Sequence, residues 1–280
     1  MAQTTVNNEN PLWITLAKHI LSKQSPNTNV VFSPLSIHGI VGLMAAGSNG
    51  ETLDQLLSFL KTKTLDELNT HFSKLVSLMA DGSSSGGPRL SFVNGAWIDQ
   101  TRSLKNYFKH VLNNVYNAAC KQVDFRNKVY FVKENAKSSY IDANFGNSVC
   151  CSESDFLESH IPREHVEVGR FMIPKFNISF EFEASNMLKE LGVILPFTRE
   201  GLTEMVDEGL QVSSLHHKAF LEVNEEGTVA AAAWSAIFFF NKTPNDPVEF
   251  VADHPFLFVI REDVSGEVLF MGQVVNPILN

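Results

Sequence analysis

The nine residues from Glu225 to Ala233 constrain the fold of this chain more than any other segment. They are Glu225, Glu226, Gly227, Thr228, Val229, Ala230, Ala231, Ala232 and Ala233. Because alanine has almost no side-chain entropy to lose and little bulk, an extended segment of this kind can enter between two strands without needing pockets of its own. Alternation along a strand would place Thr228, Ala230 and Trp234 on the same face. The run therefore predicts a strand end that continues into a mobile segment of small residues.

The same run allows a second interpretation. Alanine is the strongest helix former, so residues 228–237 could instead form an alanine-rich helix. The nine residues by themselves leave both interpretations open, and the choice between them depends on the rest of the chain.

Several other blocks of sequence follow one another in a fixed order. They are residues 29–37, 46–60, 94–98, 121–125, 250–258 and 269–274. The first contains Ser33-Pro34 in an apolar run, and the fifth contains Asp253-His254-Pro255-Phe256. Together with the 225–233 run, these blocks resemble the signatures of serpins, inhibitors that trap proteases by inserting a reactive-centre loop into a β-sheet. The resemblance is closest to plant serpins and covers roughly residues 11–126 and 161–280.

The resemblance implies which residues would carry the function. The 225–233 run corresponds to the hinge of the reactive-centre loop, which would extend over about residues 227–251. Counting along the loop places the scissile bond at Asn241–Lys242, directly after three phenylalanines. The implied partner is a target protease of the serine or cysteine class, and no cofactor is implied. The chain would act as a monomeric inhibitor and not as an enzyme.

The resemblance also implies a polar cluster beneath the point where the main sheet of a serpin opens. Ser33 and Ser36 match its helix residues, and His217 matches its strand histidine. Asn127 matches its asparagine only if residues 127–131 form the central strand of the main sheet. In the alternative alignment that strand is missing. A hydrogen-bonded core residue is the simpler structural role for His217.

The chain departs from the serpin pattern in its middle and at its hinge. Only about 35 residues separate Phe125 from Ile161, where an intact serpin has a covering helix and several strands. Trp234 stands on the insertion face where the family has a small residue, and over-packing a sheet interior costs about 1–3 kcal/mol. Two functions stay open: a protease inhibitor with impaired trapping, and a non-inhibitory truncated serpin that acts as a protease substrate or binding module.

The resemblance implies one serpin-like α+β domain over residues 1–280, shortened between about 126 and 160, with N-terminal helices packed on an incomplete main β-sheet and buried strands near the C-terminus. Hydrophobic periodicity predicts where individual helices and strands lie. Helices are predicted from about 11 to 21, 34 to 47, 52 to 60, 65 to 80 and 183 to 191. Strands are predicted over 90–98, 176–182 and 215–223, and a buried hairpin over 256–271. The serine- and glycine-rich residues 81–88 are predicted to form a surface loop.

Composition excludes several other classes of function. The net charge of −9 is opposite to the basic face that binding to nucleic acids or anionic membranes requires. No stretch reaches about 18 consecutive apolar residues, so no membrane-spanning helix is expected. The N-terminus shows no secretory signal and the chain has three cysteines. We therefore expect a cytoplasmic or nuclear location, although an extracellular one is compatible with the resemblance.

The sequence also lacks the common catalytic motifs. It contains no Gly-x-Ser-x-Gly, His-Glu-x-x-His, Gly-x-x-x-x-Gly-Lys or Gly-x-Gly-x-x-Gly pattern. Five histidines are scattered along the chain, which does not favour an enzyme: His19, His38, His71, His110 and His254. No other metal-binding residue type lies at ligand spacing from His217, so no metal site is predicted there.

Overall fold

The computed structural model describes residues 11–81, 95–123, 168–198, 201–207, 210–223, 248–262 and 265–279. The predicted hinge and scissile bond, Trp234 and Asn127 lie outside these residues, as does most of the predicted 81–88 loop. The described part is a mixture of helices and sheets, which confirms the predicted α+β class.

Five helices dominate the N-terminal half. They are α1 (Leu12–Ser22), α2 (Pro34–Ala46), α3 (Gly50–Leu60), α4 (Leu65–Asp81) and α5 (Asn106–Asn114). The first four confirm the helices predicted from periodicity. Pro11 occupies the position before α1 and not its first turn, because its backbone is extended there. The Ser33 side chain caps α2 by accepting a hydrogen bond from the Ser36 amide, as its cap-plus-proline pattern predicts.

Three antiparallel strands form the largest sheet in the described residues. They are β1 (Val30–Phe32), β8 (Phe256–Arg261) and β9 (Val268–Val274), in the order β1-β9-β8. The β8–β9 hairpin was predicted from two apolar runs around Ser265-Gly266. Gly272 lies where β9 crosses β1, and a Cβ atom there would lie only 2.1 Å from the Val30 carbonyl oxygen. Glycine is therefore required at this position by close approach of the backbones.

The remaining strands form three separate pairs in the described ranges. They are β2 (Gly95–Asp99) with β3 (Ala119–Val123), β4 (Val168–Met172) with β7 (Val248–Val251), and β5 (Phe176–Glu183) with β6 (His216–Val223). The first two pairs are parallel, and β5–β6 is antiparallel over eight positions. β7 contains the last four residues of the predicted 227–251 loop.

Helix α6 (Ala184–Glu190) follows β5 directly and ends before Gly192, which has a φ of 94°. Both the helix and its terminal glycine were predicted, since glycine readily adopts this left-handed conformation. β5 and β6 alternate between buried and exposed residues, as their sequence patterns predict. This alternation turns Ile178, Ala219 and Leu221 inward.

The core lies between the N-terminal helices and the inner faces of the sheets. Leu16 and Ile20 of α1 are buried in it, so the apolar stripe of α1 faces the core, as predicted. Phe72 of α4 stacks on Tyr116 with 4.7 Å between the ring centroids. β4, in contrast, exposes Val168, Phe171 and Met172.

Within the described ranges, no helix is both long and apolar enough to cross a membrane. The same residues contain no group of three or more His, Cys, Asp or Glu side chains that could hold a metal ion.

Candidate functional site

The start of α2 meets the beginning of β6, and this junction brings together three of the predicted site residues. Ser33 caps α2, Ser36 lies in its first turn, and His217 is the second residue of β6. His217 points inward because residues of β6 alternate between the two faces of the β5–β6 pair. Its ring lies beside Phe182, the residue opposite it on β5, with 5.3 Å between the centroids.

Two hydrogen bonds hold this junction together. The backbone N–H of Ser33 donates to Nε2 of His217 at 3.1 Å. The hydroxyl oxygen of Ser33 accepts from the backbone N–H of Ser36 at 3.0 Å. Because Nε2 accepts a hydrogen bond, the imidazole is neutral and carries its proton on Nδ1. Three of the four residues expected in the polar cluster therefore lie together around a neutral histidine, and the fourth, Asn127, lies outside the described residues.

Burial keeps His217 neutral. Only 6% of the residue is exposed, and burial lowers the pKa of His217 to about 4. A protonated ring would lose its acceptor at Nε2 and would place a second donor against the Ser33 N–H. The positive end of the α2 dipole at Ser33 opposes a charge there as well. The junction thus joins β6 to α2 only while His217 is uncharged.

This arrangement does not activate a nucleophile. His217 accepts from the backbone of Ser33, whereas a catalytic base would accept from the Ser33 hydroxyl. Ser33 is also only 3% exposed, so a substrate has no access to it. The geometry instead suits a structural joint between a helix and a strand, in agreement with the absence of catalytic motifs in the sequence.

The other predicted site residues are not described by the structure, but the strands on either side of the hinge and loop are. Asn127, the 225–233 hinge and the Asn241–Lys242 bond lie outside the described residues. β6 ends at Val223, immediately before the hinge, and β7 begins at Val248. In sequence, the predicted hinge therefore directly follows the strand that carries His217.

A second polar cluster, which no sequence pattern predicted, is formed by His38 of α2, His71 of α4 and Glu267 of the β8–β9 turn. His38 and His71 are scattered in the sequence but meet in the structure, where their rings stack with 6.1 Å between centroids. His71 Nε2 lies 2.9 Å from a Glu267 carboxylate oxygen. The residues lie on three separate elements, so no spacing in the sequence signals their contact.

Comparisons with known proteins decide the family. A model of the family described as "Serpin (serine protease inhibitor)" matches residues 7–139 and 152–277. This chain belongs to the serpin family. Among plant relatives, Serpin-ZX of Arabidopsis thaliana is 36% identical over 98% of both chains, and Serpin-Z1C of Triticum aestivum is 33% identical over 95% of both. The predicted resemblance to plant serpins is confirmed.

Solved structures place the chain in the serpin fold. A structure of Arabidopsis AtSerpin1 in its native stressed conformation has a TM-score of 0.76 and 33% identity, and the match covers 96% of both chains. A tumour-suppressing serpin has a TM-score of 0.72 at 17% identity, over 95% of this chain and 97% of that one, which shows the fold alone. The alignment with Serpin-ZX extends over 385 positions. Because the alignment is longer than the 280 residues of this serpin, some of its positions are gaps in the sequence of this chain.

Proposed function

We propose that this serpin presents its reactive-centre loop to a serine or cysteine endopeptidase and is cleaved mainly as a substrate, because trapping of the protease is impaired. The loop follows β6, and the bond offered to the protease is Asn241–Lys242. The observation that carries this proposal is the alignment with Serpin-ZX, whose 385 positions outnumber the 280 residues of this chain, so that segments of the relative have no counterpart here.

Trapping by a serpin requires the cleaved loop to enter the main sheet as a new strand. An inserted strand gains its stability from backbone hydrogen bonds and side-chain contacts with a strand on each side. In the described residues β6 pairs with β5 along one edge, and the predicted central strand at 127–131 lies outside them. The alignment gap opposite Serpin-ZX supports a shortened sheet.

The hinge adds a further obstacle to insertion. In an inserted strand, Trp234 would share the face of Thr228 and Ala230, which would turn toward the sheet interior. Forcing an indole into a position suited to a small side chain costs about 1–3 kcal/mol. Insertion competes with hydrolysis of the acyl-enzyme, so slower insertion lets the protease complete the reaction and leave.

Incubation with a panel of serine and cysteine endopeptidases tests the proposal. We expect cleavage within one or two residues of Asn241, no detergent-stable complex and little rise in melting temperature after cleavage. Lys242→Pro should abolish cutting at that bond, whereas Lys218→Ala on β6 should leave it unchanged. Limited proteolysis should cut first between Ala233 and Asn245. A detergent-stable complex with a large thermal stabilisation would show that the chain is a working inhibitor.

A pair of hinge variants separates the two obstacles. Trp234→Ser removes the bulky side chain, and Trp234→Phe keeps an aromatic ring at the same position. If the central strand is present at 127–131, Trp234→Ser should restore some detergent-stable complex and Trp234→Phe should not. If neither variant forms a complex, the shortened sheet is the dominant obstacle, and the protein acts as a substrate or binding module.

A further inference from the structure

The cluster of His38, His71 and Glu267 joins three elements that are distant in sequence. His38 comes from α2, His71 from α4, and Glu267 from the turn that enters β9. The two imidazole rings stack at an interplanar angle of 24°. Only one direct ion pair exists within the cluster, between His71 and Glu267, and it ties α4 to the β8–β9 turn.

His38 is the unusual member of this cluster. Its Nε2 atom is buried and has no hydrogen-bond partner among the described residues. A buried polar atom without a partner is rare, because no hydrogen bond offsets the free-energy cost of removing it from water. The ring nevertheless borders a cavity of about 310 Å³, which Glu267 and the exposed Lys61 also line. Water and protons can therefore come close to His38 without unfolding of the core.

The surroundings of His38 contain more positive than negative groups. His71 stacks on its ring, Lys61 lies along the same cavity, and Lys74 acts on His71 from α4. The negative groups are Glu267 and, near His71, Glu67. Glu267 is already engaged by His71 at 2.9 Å. A charge on His38 would thus meet the His71 imidazole with no carboxylate in hydrogen-bond contact.

The protonation equilibria follow this geometry. Burial, which the Glu267 charge partly opposes and His71 reinforces, lowers the pKa of His38 to about 4. The hydrogen bond to Glu267 raises the pKa of His71. Burial alone would raise the pKa of Glu267, but the His71 hydrogen bond and the charges of both histidines lower it overall. At neutral pH, His38 is therefore uncharged and Glu267 is ionised.

We propose that His38, His71 and Glu267 form an acid-sensitive latch between α2, α4 and the β8–β9 turn. The latch is closed while His38 is neutral and opens when Nε2 of His38 takes up a proton from solvent. The new charge is relieved in one of two ways: His38 moves away from His71, or Glu267 leaves His71 for His38. Either response weakens the His71–Glu267 contact and releases α4 from the turn.

Hydrogen–deuterium exchange at pH 7.0 and pH 4.5, corrected for the intrinsic exchange rate, tests the latch in the full chain. Acid should lower the protection of α4 and of the β8–β9 turn about tenfold more than that of α5, given repulsion between charges about 6 Å apart. His38→Phe keeps a stacked ring that cannot be protonated, and the selective loss should disappear. His110→Phe, on the exposed face of α5, is the matched control and should behave like the unmodified chain.

A second measurement keeps the proposal testable if His38→Phe does not fold. In a histidine-labelled sample of the unmodified protein, NMR should show the His71 ring signal moving again as His38 titrates. Equal loss of protection across α4 and α5, an unchanged acid response in folded His38→Phe, or independent titration of the two rings would each overturn the latch.

Discussion

Replacing His217 by Gln probes the joint between α2 and β6 through its dependence on pH. The Gln side-chain oxygen can take over the hydrogen bond from the Ser33 N–H, but it cannot be protonated. At pH 7, we therefore expect the free energy of unfolding to change by less than about 1 kcal/mol. His217→Leu, which removes the acceptor from a buried N–H, should cost about 1–3 kcal/mol at the same pH.

The free energies of unfolding of His217→Gln and of the unmodified protein should diverge as the pH falls. The pKa of His217 is about 4 in the folded protein and about 6.5 when unfolded, so the unfolded state binds the proton more readily. Stability from the neutral ring is complete above pH 6.5 and is lost as the pH falls toward 4. The full loss is about 3 kcal/mol, at 1.36 kcal/mol for each pH unit between the two pKa values, and about 2.5 kcal/mol of it is lost by pH 4.5.

Urea unfolding of both proteins at pH 7.0 and pH 4.5 measures this difference. His217→Gln should lose about 2–3 kcal/mol less stability than the unmodified chain over this interval. Comparing the two proteins cancels the contribution of His38 and of the carboxylates, which both retain. Equal losses in the two proteins would mean that His217 titrates in the folded state much as it does in water, and the description of a neutral, buried joint would be wrong.

Two further substitutions test contacts that hold the described core together. Gly272→Ala should destabilise the protein by about 2–3 kcal/mol, because the added Cβ would collide with the Val30 carbonyl and the Phe258 ring. Urea unfolding measures this loss, and unchanged stability would disprove the required close approach. Asn29→Ala should release residues 275–279, since the Asn29 amide bonds four backbone groups there. Hydrogen exchange should rise in this segment but not in α5, and equal exchange would contradict the clamp.

Local sequence patterns predicted the helices and strands well because their signals act over a few residues. The Ser33-Pro34 pair marks the start of α2, since one supplies the cap and the other a preset φ angle. Strict alternation over 176–182 predicts β5, and Gly192 marks the end of α6. These features need no knowledge of distant parts of the chain, and the structure places each of them where the sequence indicates.

Local sequence patterns alone did not predict the functional site. The resemblance to serpins predicted that Ser33, Ser36 and His217 would share a site, and the structure brings them together. It could not give the direction of the hydrogen bond, which runs from the Ser33 backbone to the ring. That direction decides that His217 is neutral and that Ser33 is not a nucleophile.

The sequence by itself determined the family, helices α1 to α4 and α6, strands β5 and β6, and the β8–β9 hairpin, because these depend on ordered motifs and short-range periodicity. Only the tertiary structure decided which elements meet. The parallel pairing of β2 with β3 and the contact among His38, His71 and Glu267 join residues far apart in the chain. Such contacts are fixed by how whole elements pack around a common core, and the burial that this packing imposes sets the charge state of His38 and His217.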